Sequence, residues 1–467
     1  MSYEYVVIGG GPTGLTIALF LGKSGKKCLL VDSNSSLGGC HRVTRVNGLF
    51  TEHGPRVYSS AYKNTKTTLL PSIGLTFDKV FTKYNFSLLT VGKKNGLSFR
   101  ETLWFVWAFL KLVFNKNLGQ TLTVDQFARK HKFSKNSKDY LDRLCRLSDG
   151  AGSDRYSLFQ FLQLVNENAL YKLYQPRKPL DRSVFKNWAS ALEKNQVRVL
   201  LNTSVTKMSR RSVQLSSGTE IRTKNIVVCV PPRAAFSLFQ KSELLNPFSG
   251  FQTWVKKTSY SQYLPVVFHW NTKLKLPHVW GFPKSDWGIA FVVLTDYMTF
   301  ENKNSKTVIS TCITMVNNPT KGLGTANSVT DAKVLVQEVF RQLKLAFPNL
   351  PPATRAILHP GIKRVADKWI EPDSSYVKTA GTKSLAFQTK YPNIFYVGAQ
   401  NGFSRYNFTS LESAITNALA FVNTQNSAQI HLQGLFKLTD LAHCVLWIIG
   451  GALVATLTGV VVWKMAS

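Results

Sequence analysis

Tyr5-Val6-Val7-Ile8-Gly9-Gly10-Gly11-Pro12-Thr13-Gly14, near the start of a 467-residue chain, is the stretch whose reading decides the fold. An apolar run such as residues 5–8 makes a short strand buried on both faces. The glycines that follow fit G-x-G-x-x-G: Gly9 for a tight turn, Gly11 where backbone must approach a pyrophosphate, Gly14 for close packing of helix on strand. Pro12 and Thr13 complete the turn. Residues 15–22 then read as a helix with Ile17, Ala18, Leu19 and Leu21 to lay on a sheet, and its N-terminus offers N–H groups and a positive dipole end to a phosphate. Cys28-Leu29-Leu30-Val31 is a second buried strand, ended by Asp32 and Ser33. Asp32 stands 18 residues beyond Gly14, where a carboxylate accepts hydrogen bonds from a ribose. A strand before, a helix after and an acid at the right distance separate this unit from an ordinary glycine turn. It reads as a dinucleotide site.

Gly38-Gly39 follows the acid closely and brings a second glycine pair into the same unit. This extended pattern resembles the FAD-dependent superfamily of amine oxidases, phytoene desaturases and protoporphyrinogen oxidases, in which that pair lies near the FAD pyrophosphate. Two departures stand out. Asp32 is where the superfamily usually has Glu, and Cys40 is where it often has Arg, with Arg42 nearby as a substitute phosphate contact. The resemblance extends to Gly54-Pro55-Arg56, a turn that lies near the flavin ring, and to Val205, whose backbone would meet the adenine. It closes on Asn393-Ile394-Phe395-Tyr396-Val397-Gly398-Ala399-Gln400 and on the helix that starts at Ser410-Leu411. There a buried strand runs through a glycine turn into a helix N-terminus, and Gln400 stands where a carboxylate usually meets the ribityl chain.

What the resemblance implies is an α/β, Rossmann-like FAD-binding domain interleaved with an α+β substrate domain. The expected division is 1–60, 185–240 and 375–425 for the first, and 61–184 and 241–374 for the second. FAD is expected to be held non-covalently, since the closing motif has no cysteine. The reaction implied is hydride removal from a substrate carbon to the flavin; no catalytic residue is indicated. The alternatives are a UDP-galactopyranose mutase-like flavoenzyme, a monoamine or polyamine oxidase, and a flavin-binding membrane protein without catalysis.

Composition narrows the partners. Lys plus Arg number 58 against 25 Asp plus Glu, a formal +33. Such an excess suits an anionic neighbour, whether lipid headgroups, nucleic acid or an acidic substrate, and no nucleic-acid motif accompanies it. Most of these charges read as solvated surface, with attraction to anionic lipid as the sharper alternative. The six cysteines form no C-x-x-C pair, and His41, His53, His269 and His278 show no ligand spacing. Neither a disulfide framework nor a zinc site is expected, and these histidines read as structural or pocket-lining.

Residues 441–463 contain no Asp, Glu, Lys or Arg, with Trp447 and Trp463 near their ends. That length crosses a bilayer as a helix, so the segment reads as a transmembrane tail anchor after a 426–440 linker. The N-terminus lacks the pattern of a signal peptide, which places the lobes on the cytosolic side. Residues 103–114 are densely apolar but too short to span. They read as a core helix, with a patch dipping into the membrane surface as the alternative.

The substrate expected is a small molecule, and lipophilic rather than a simple amine. Amine oxidases of the superfamily commonly place an aromatic ring where Ser410 stands, and often a Lys on a substrate-domain strand. The strand Tyr263-Leu264-Pro265-Val266-Val267-Phe268-His269-Trp270 has none, and Lys256 and Lys257 come too early.

Overall fold

Tyr5–Ile8 needs burial on both faces, and the computed structural model supplies it by making Ser2–Ile8 the centre of a parallel sheet. The structure describes residues 2–434 except 90–95, 113, 116, 262, 282–283, 372–373, 405–408 and 426–428, together with 443 and 446–448. Cys28–Val31 pairs with one edge of the first strand, from Tyr5 opposite Cys28 to Ile8 opposite Val31, and Arg198–Leu200 lies parallel outside it. Glu220–Val228 pairs with the other edge, and Ile394–Tyr396 continues beyond it, again parallel. Ser212–Leu215 and Val205–Met208 turn back antiparallel at the rim. Strands near both ends of the chain and from its middle therefore share one sheet.

Helices cover both faces. Leu15, Ile17, Trp188, Ile415 and Leu419 from three helices, Pro12–Lys23, Val184–Lys194 and Leu411–Thr424, are fully buried on one side. Ala235, Phe239 and Phe251 from Pro232–Lys241 and Phe251–Lys257 fill the other. Parallel sheets are stable in water only with both faces covered, which is why the apolar strands here are continuous rather than alternating.

A second sheet of six strands runs in the order Arg355–Leu358, Leu264–Trp270, Thr307–Ile313, Ile289–Val293, Val279–Gly281, Ser87–Leu89. Its pleat divides the side chains. Val266, Phe268, Ile289 and Phe291 pack under the helix Ala332–Leu343, while Val267, Ala290, Val292 and Cys312 face the other way. Four helices, Phe99–Lys111, Val124–Lys130, Lys135–Asp149 and Leu158–Leu170, complete this region.

The segment 103–114 contributes a core face, in line with the expected core helix. Phe105, Ala108 and Leu112 are core residues, and Glu101 closes a capping box with Ser98 at the helix start. The opposite side leaves Phe99, Leu103, Val106 and Trp107 exposed. Among the described residues no helix is long and apolar enough to cross a membrane. The expected anchor at 441–463 lies outside the described residues, apart from 443 and 446–448, which are helical.

One core histidine locks the two regions together. His269 is fully buried; its Nε2 donates to the carbonyl of Phe50 at 2.9 Å and its Nδ1 accepts from Ser305 Oγ at 3.0 Å. Burial pushes its pKa down from 6.5 to about 4, with the Phe50 hydrogen bond opposing. A group whose folded pKa is depressed loses stability as the pH falls from the unfolded value toward the folded one. The chain should therefore lose about 3 kcal/mol of stability between pH 6.5 and pH 4 through this residue. In urea unfolding, the gap between wild type and His269→Asn should narrow across that window; a constant gap would contradict this role.

Candidate active site

Two glycine stretches stand backbone to backbone. Gly9 has φ +111°, and a Cβ there would lie 2.8 Å from the carbonyl oxygen of Cys229. A Cβ on Gly14 would lie 1.9 Å from the oxygen of Gly9, so helix and strand meet at a distance only glycine allows. Gly38 N donates to Gly10 O at 2.9 Å, which ties the second pair to the first turn. A Cβ on Gly11 would point at Gly39 Cα, 3.7 Å away, and meet nothing else within 4 Å. It would fill a groove without breaking the fold. The helix Pro12–Lys23 starts at that groove with no side chain capping it, which leaves its first N–H groups available to an anion.

Asp32 is held at the groove's end. Its Oδ2 accepts from Gly10 N at 2.5 Å, and its Oδ1 from Asn34 N at 2.7 Å and Asn34 Nδ2 at 3.0 Å. A carboxylate has about four acceptor sites, so it keeps capacity for one ribose hydroxyl. Ser33 beside it is exposed. Thr203 N donates to Asp32 O and Asn202 N to Asn34 O, both at 3.0 Å, which brings the start of the Val205–Met208 strand alongside. Arg42 is buried at the end of the Gly39–His41 turn.

The closing motif arrives from the opposite side. Gln400 is buried and folds back over Gly398, whose Cβ position lies 2.5 Å from Gln400 Oε1. Its Nε2 is buried without a partner, a donor that suits a ligand hydroxyl. Gly398 itself is fixed by Asn401 Oδ1, which accepts from its N–H, and by Asn417 Nδ2, which donates to its carbonyl, each at 2.8 Å. Ser410 caps the helix Leu411–Thr424 through a reciprocal pair with Ser413. Thr13 Oγ1 lies 3.5 Å from Ala414 O, so two helix N-termini flank one groove. Glu412, buried in the same helix, accepts four hydrogen bonds from Asn64 and Thr65 at 2.7–3.0 Å. Asn401 and Asn417 carry no motif signal; their roles come from the contacts they make with Gly398.

From the groove a cavity of about 600 Å³ extends to the second sheet. Pro12, Cys40, Ser410, Leu411 and Ala414 line its near end, and Tyr263, Trp280, Ala290 and Cys312 its far wall. Leu144, Leu147 and Leu164 enter from the helices. Gly54, Pro55 and Arg56 line it as well, and the guanidinium of Arg56 donates to the carbonyls of Gly54 and Cys40. Burial and the nearby Arg56 keep His41 neutral. Burial also pushes the Glu52 carboxyl up to about 7, against the pull of Arg56. Among the described residues no lysine lines the cavity, and Lys256 and Lys257 are exposed on their helix. Of the residues expected to contact a cofactor, Asp32 and Gly9, Gly11, Gly14, Gly38 and Gly39 meet at the first turn, whereas Pro12, Gly54, Pro55, Arg56, Ser410 and Leu411 line the cavity.

Residues 7–69 match the NAD(P)-binding Rossmann-like domain family. No curated protein matches the chain. Solved structures do. A putrescine oxidase bound to putrescine superposes with a TM-score of 0.67 at 13% identity, over 92% of this chain and 100% of that one. A putative protoporphyrinogen oxidase from Exiguobacterium sp. 255-15 gives 0.62 at 14% identity, over 91% and 99%. Cyclohexylamine oxidase from Brevibacterium oxydans IH-35A gives the same four values. The chain has the mixed α/β, Rossmann-based fold of these oxidases, along nearly its whole length.

The groove makes a paired prediction. Gly11→Val should fold, with an unfolding midpoint near that of wild type, and purify without a bound dinucleotide. Gly14→Val should fail to fold, because no side chain fits against the Gly9 carbonyl. Calorimetry and the visible spectrum of the purified proteins check both, and a Gly11→Val protein that keeps stoichiometric chromophore would contradict the assignment.

Proposed function

We propose that this chain is a FAD-dependent oxidoreductase that takes a hydride from a lipophilic small molecule. The observation that carries the reading is the continuity of groove and cavity. A dinucleotide-shaped groove between two helix N-termini opens directly into an apolar chamber roofed by a second sheet. Gly11 and Gly39 would hold the pyrophosphate, Asp32 the ribose, and the backbone of Val205 the adenine. Gln400 would hold the ribityl chain, and Gly54–Arg56 with Ser410–Leu411 the flavin ring. The discontinuous division at 1–60, 185–240 and 375–425 belongs to this reading. When bound, the flavin supplies the hydride acceptor.

The chain's own residues bind, orient and dry the substrate. Leu144, Leu147, Leu164 and Trp280 offer apolar contact, and burial stabilises by about 25 cal/mol per Å². Their closure also keeps water from the reacting carbon. The lack of a lysine among the described lining residues and the short Ser410 hydroxyl argue against the arrangement the superfamily's amine oxidases use, although the similar structures include a putrescine oxidase and a cyclohexylamine oxidase. Anaerobic mixing with polyenes, porphyrinogens, simple amines and UDP-sugars separates the readings. Bleaching of the flavin by a lipophilic candidate supports this one. Bleaching by amines alone overturns the substrate class, and tight UDP-sugar binding by the reduced enzyme overturns the reaction.

The reading includes the membrane. The apolar segment 441–463 acts as a single-pass anchor with the lobes on the cytosolic face, and the Phe99–Lys111 helix lies on the lipid surface. Support comes from the exposed Phe99, Leu103 and Trp107, with the Lys111 ammonium 5.0 Å from the Trp107 ring centre. That mix of apolar and basic groups suits an interfacial helix. Removing residues 441–467 should shift the protein from pellet to supernatant while leaving residual binding to anionic vesicles. Leu103→Ser together with Trp107→Ser should then abolish that binding; unchanged binding would remove this helix from the account.

A further inference from the structure

Three strand ends meet at the wall of the cavity, and each delivers a metal-ligating side chain. His53 directly follows the strand Leu49–Glu52, His359 follows Arg355–Leu358, and Glu371 follows Lys368–Ile370. All three are buried, and His53 and Glu371 line the cavity. Glu371 Oε1 lies 3.5 Å from His53 Nδ1, and Oε2 lies 3.0 Å from His359 Nδ1. One ligand atom from each residue falls within 4.8 Å of the others. A tetrahedral ion with bonds of about 2.0–2.2 Å holds its ligand atoms roughly 3.4 Å apart, so closing onto an ion requires only small side-chain rotations.

The hydrogen-bonding pattern is not that of a structural histidine. His269 shows the structural case, with both ring nitrogens paired. Both ring nitrogens of His53 and Nε2 of His359 are buried without a hydrogen-bond partner. Nδ1 of His359 accepts from Gly361 N at 3.2 Å and lies 3.0 Å from Glu371 Oε2, while its Nε2 is left without a partner. Polar atoms buried without partners are costly, and a cation held among them would satisfy them. Gly361 keeps the space clear: a Cβ there would lie 3.0 Å from His359 Nδ1 and 3.2 Å from Glu371 Oε1.

We infer that His53, His359 and Glu371 form a site for a divalent transition metal, with an open coordination position toward the cavity. Two imidazoles and one carboxylate suit Zn²⁺, Fe²⁺ or Co²⁺, whereas Mg²⁺ and Ca²⁺ require mainly oxygen ligands. Three protein ligands with a fourth position free is the pattern of a site that binds substrate or water. The ion would hold an oxygen or nitrogen donor of an otherwise apolar molecule, which would fix one end of that molecule in the chamber. Arg56, which also lines the cavity, is directed to the carbonyls of Gly54 and Cys40. The site stands independently of the flavin reading.

The test uses the full chain, stripped with a chelator and dialysed against micromolar Zn²⁺ in excess Mg²⁺, with bound metal counted by mass spectrometry. One equivalent of Zn²⁺ per chain is expected, and His359→Gln and Glu371→Gln should each weaken binding by roughly a hundredfold or more. X-ray absorption at the zinc edge of the wild-type protein keeps the test sharp if a variant fails to fold. A shell containing two imidazoles supports the site. Failure to bind stoichiometric Zn²⁺, unchanged affinity in the folded variants, or a shell without two imidazoles would overturn it.

Discussion

The contact on which the rest of the molecule depends is the one between Gly14 and the carbonyl of Gly9. At the 1.9 Å that a Cβ would reach, only hydrogen fits, and this lets the first helix lie flat on the first strand. The same closeness sets the helix N-terminus over the turn, where Gly11 and Gly39 meet backbone to backbone. Asp32 then completes the enclosure by accepting from Gly10 N. A turn built without side chains thus positions phosphate, ribose and helix dipole together.

From that contact the connectivity follows. The first strand is buried on both faces, so it needs parallel neighbours on each side, and these come from residues 28–31 and 220–228. Ile394–Tyr396 extends the sheet and brings Gly398, Gln400 and Ser410 to the groove. The intervening chain is left to build the second sheet and the helices. Its side chains close the cavity where both regions meet, so the chamber exists only when the whole chain has folded. His269 and Glu412 are the polar ties across that junction, one to the Phe50 carbonyl and the other to Asn64 and Thr65.

Much of this was legible in the sequence because it is local. The glycine turn, the Asp32 strand end and the closing Gly398–Ser410 segment each announce themselves within a few residues, and the structure places them around one groove. The helix at 99–111 was half legible: its apolar density was plain, but a period that leaves Phe99, Leu103 and Trp107 in solvent emerges only once the core face is known. The His53, His359 and Glu371 cluster was not legible at all. Its members are far apart in the chain with no motif spacing, and the sequence reading assigned His53 to structure or pocket lining. Asn401 and Asn417 are similar, since their meaning is the carbonyl and amide of Gly398 that they hold. Short-range chemistry is written in the order of residues, and long-range chemistry only in the register of strands.

The function proposed for this chain turns on FAD being held in the groove without a covalent bond. The most direct measurement is to denature the purified full-length protein in acid, separate protein from supernatant, and identify both by mass spectrometry. The account predicts one equivalent of intact FAD in the supernatant and a polypeptide of unmodified mass. Release of a nicotinamide dinucleotide instead, or a flavin adduct retained on the polypeptide, would contradict it.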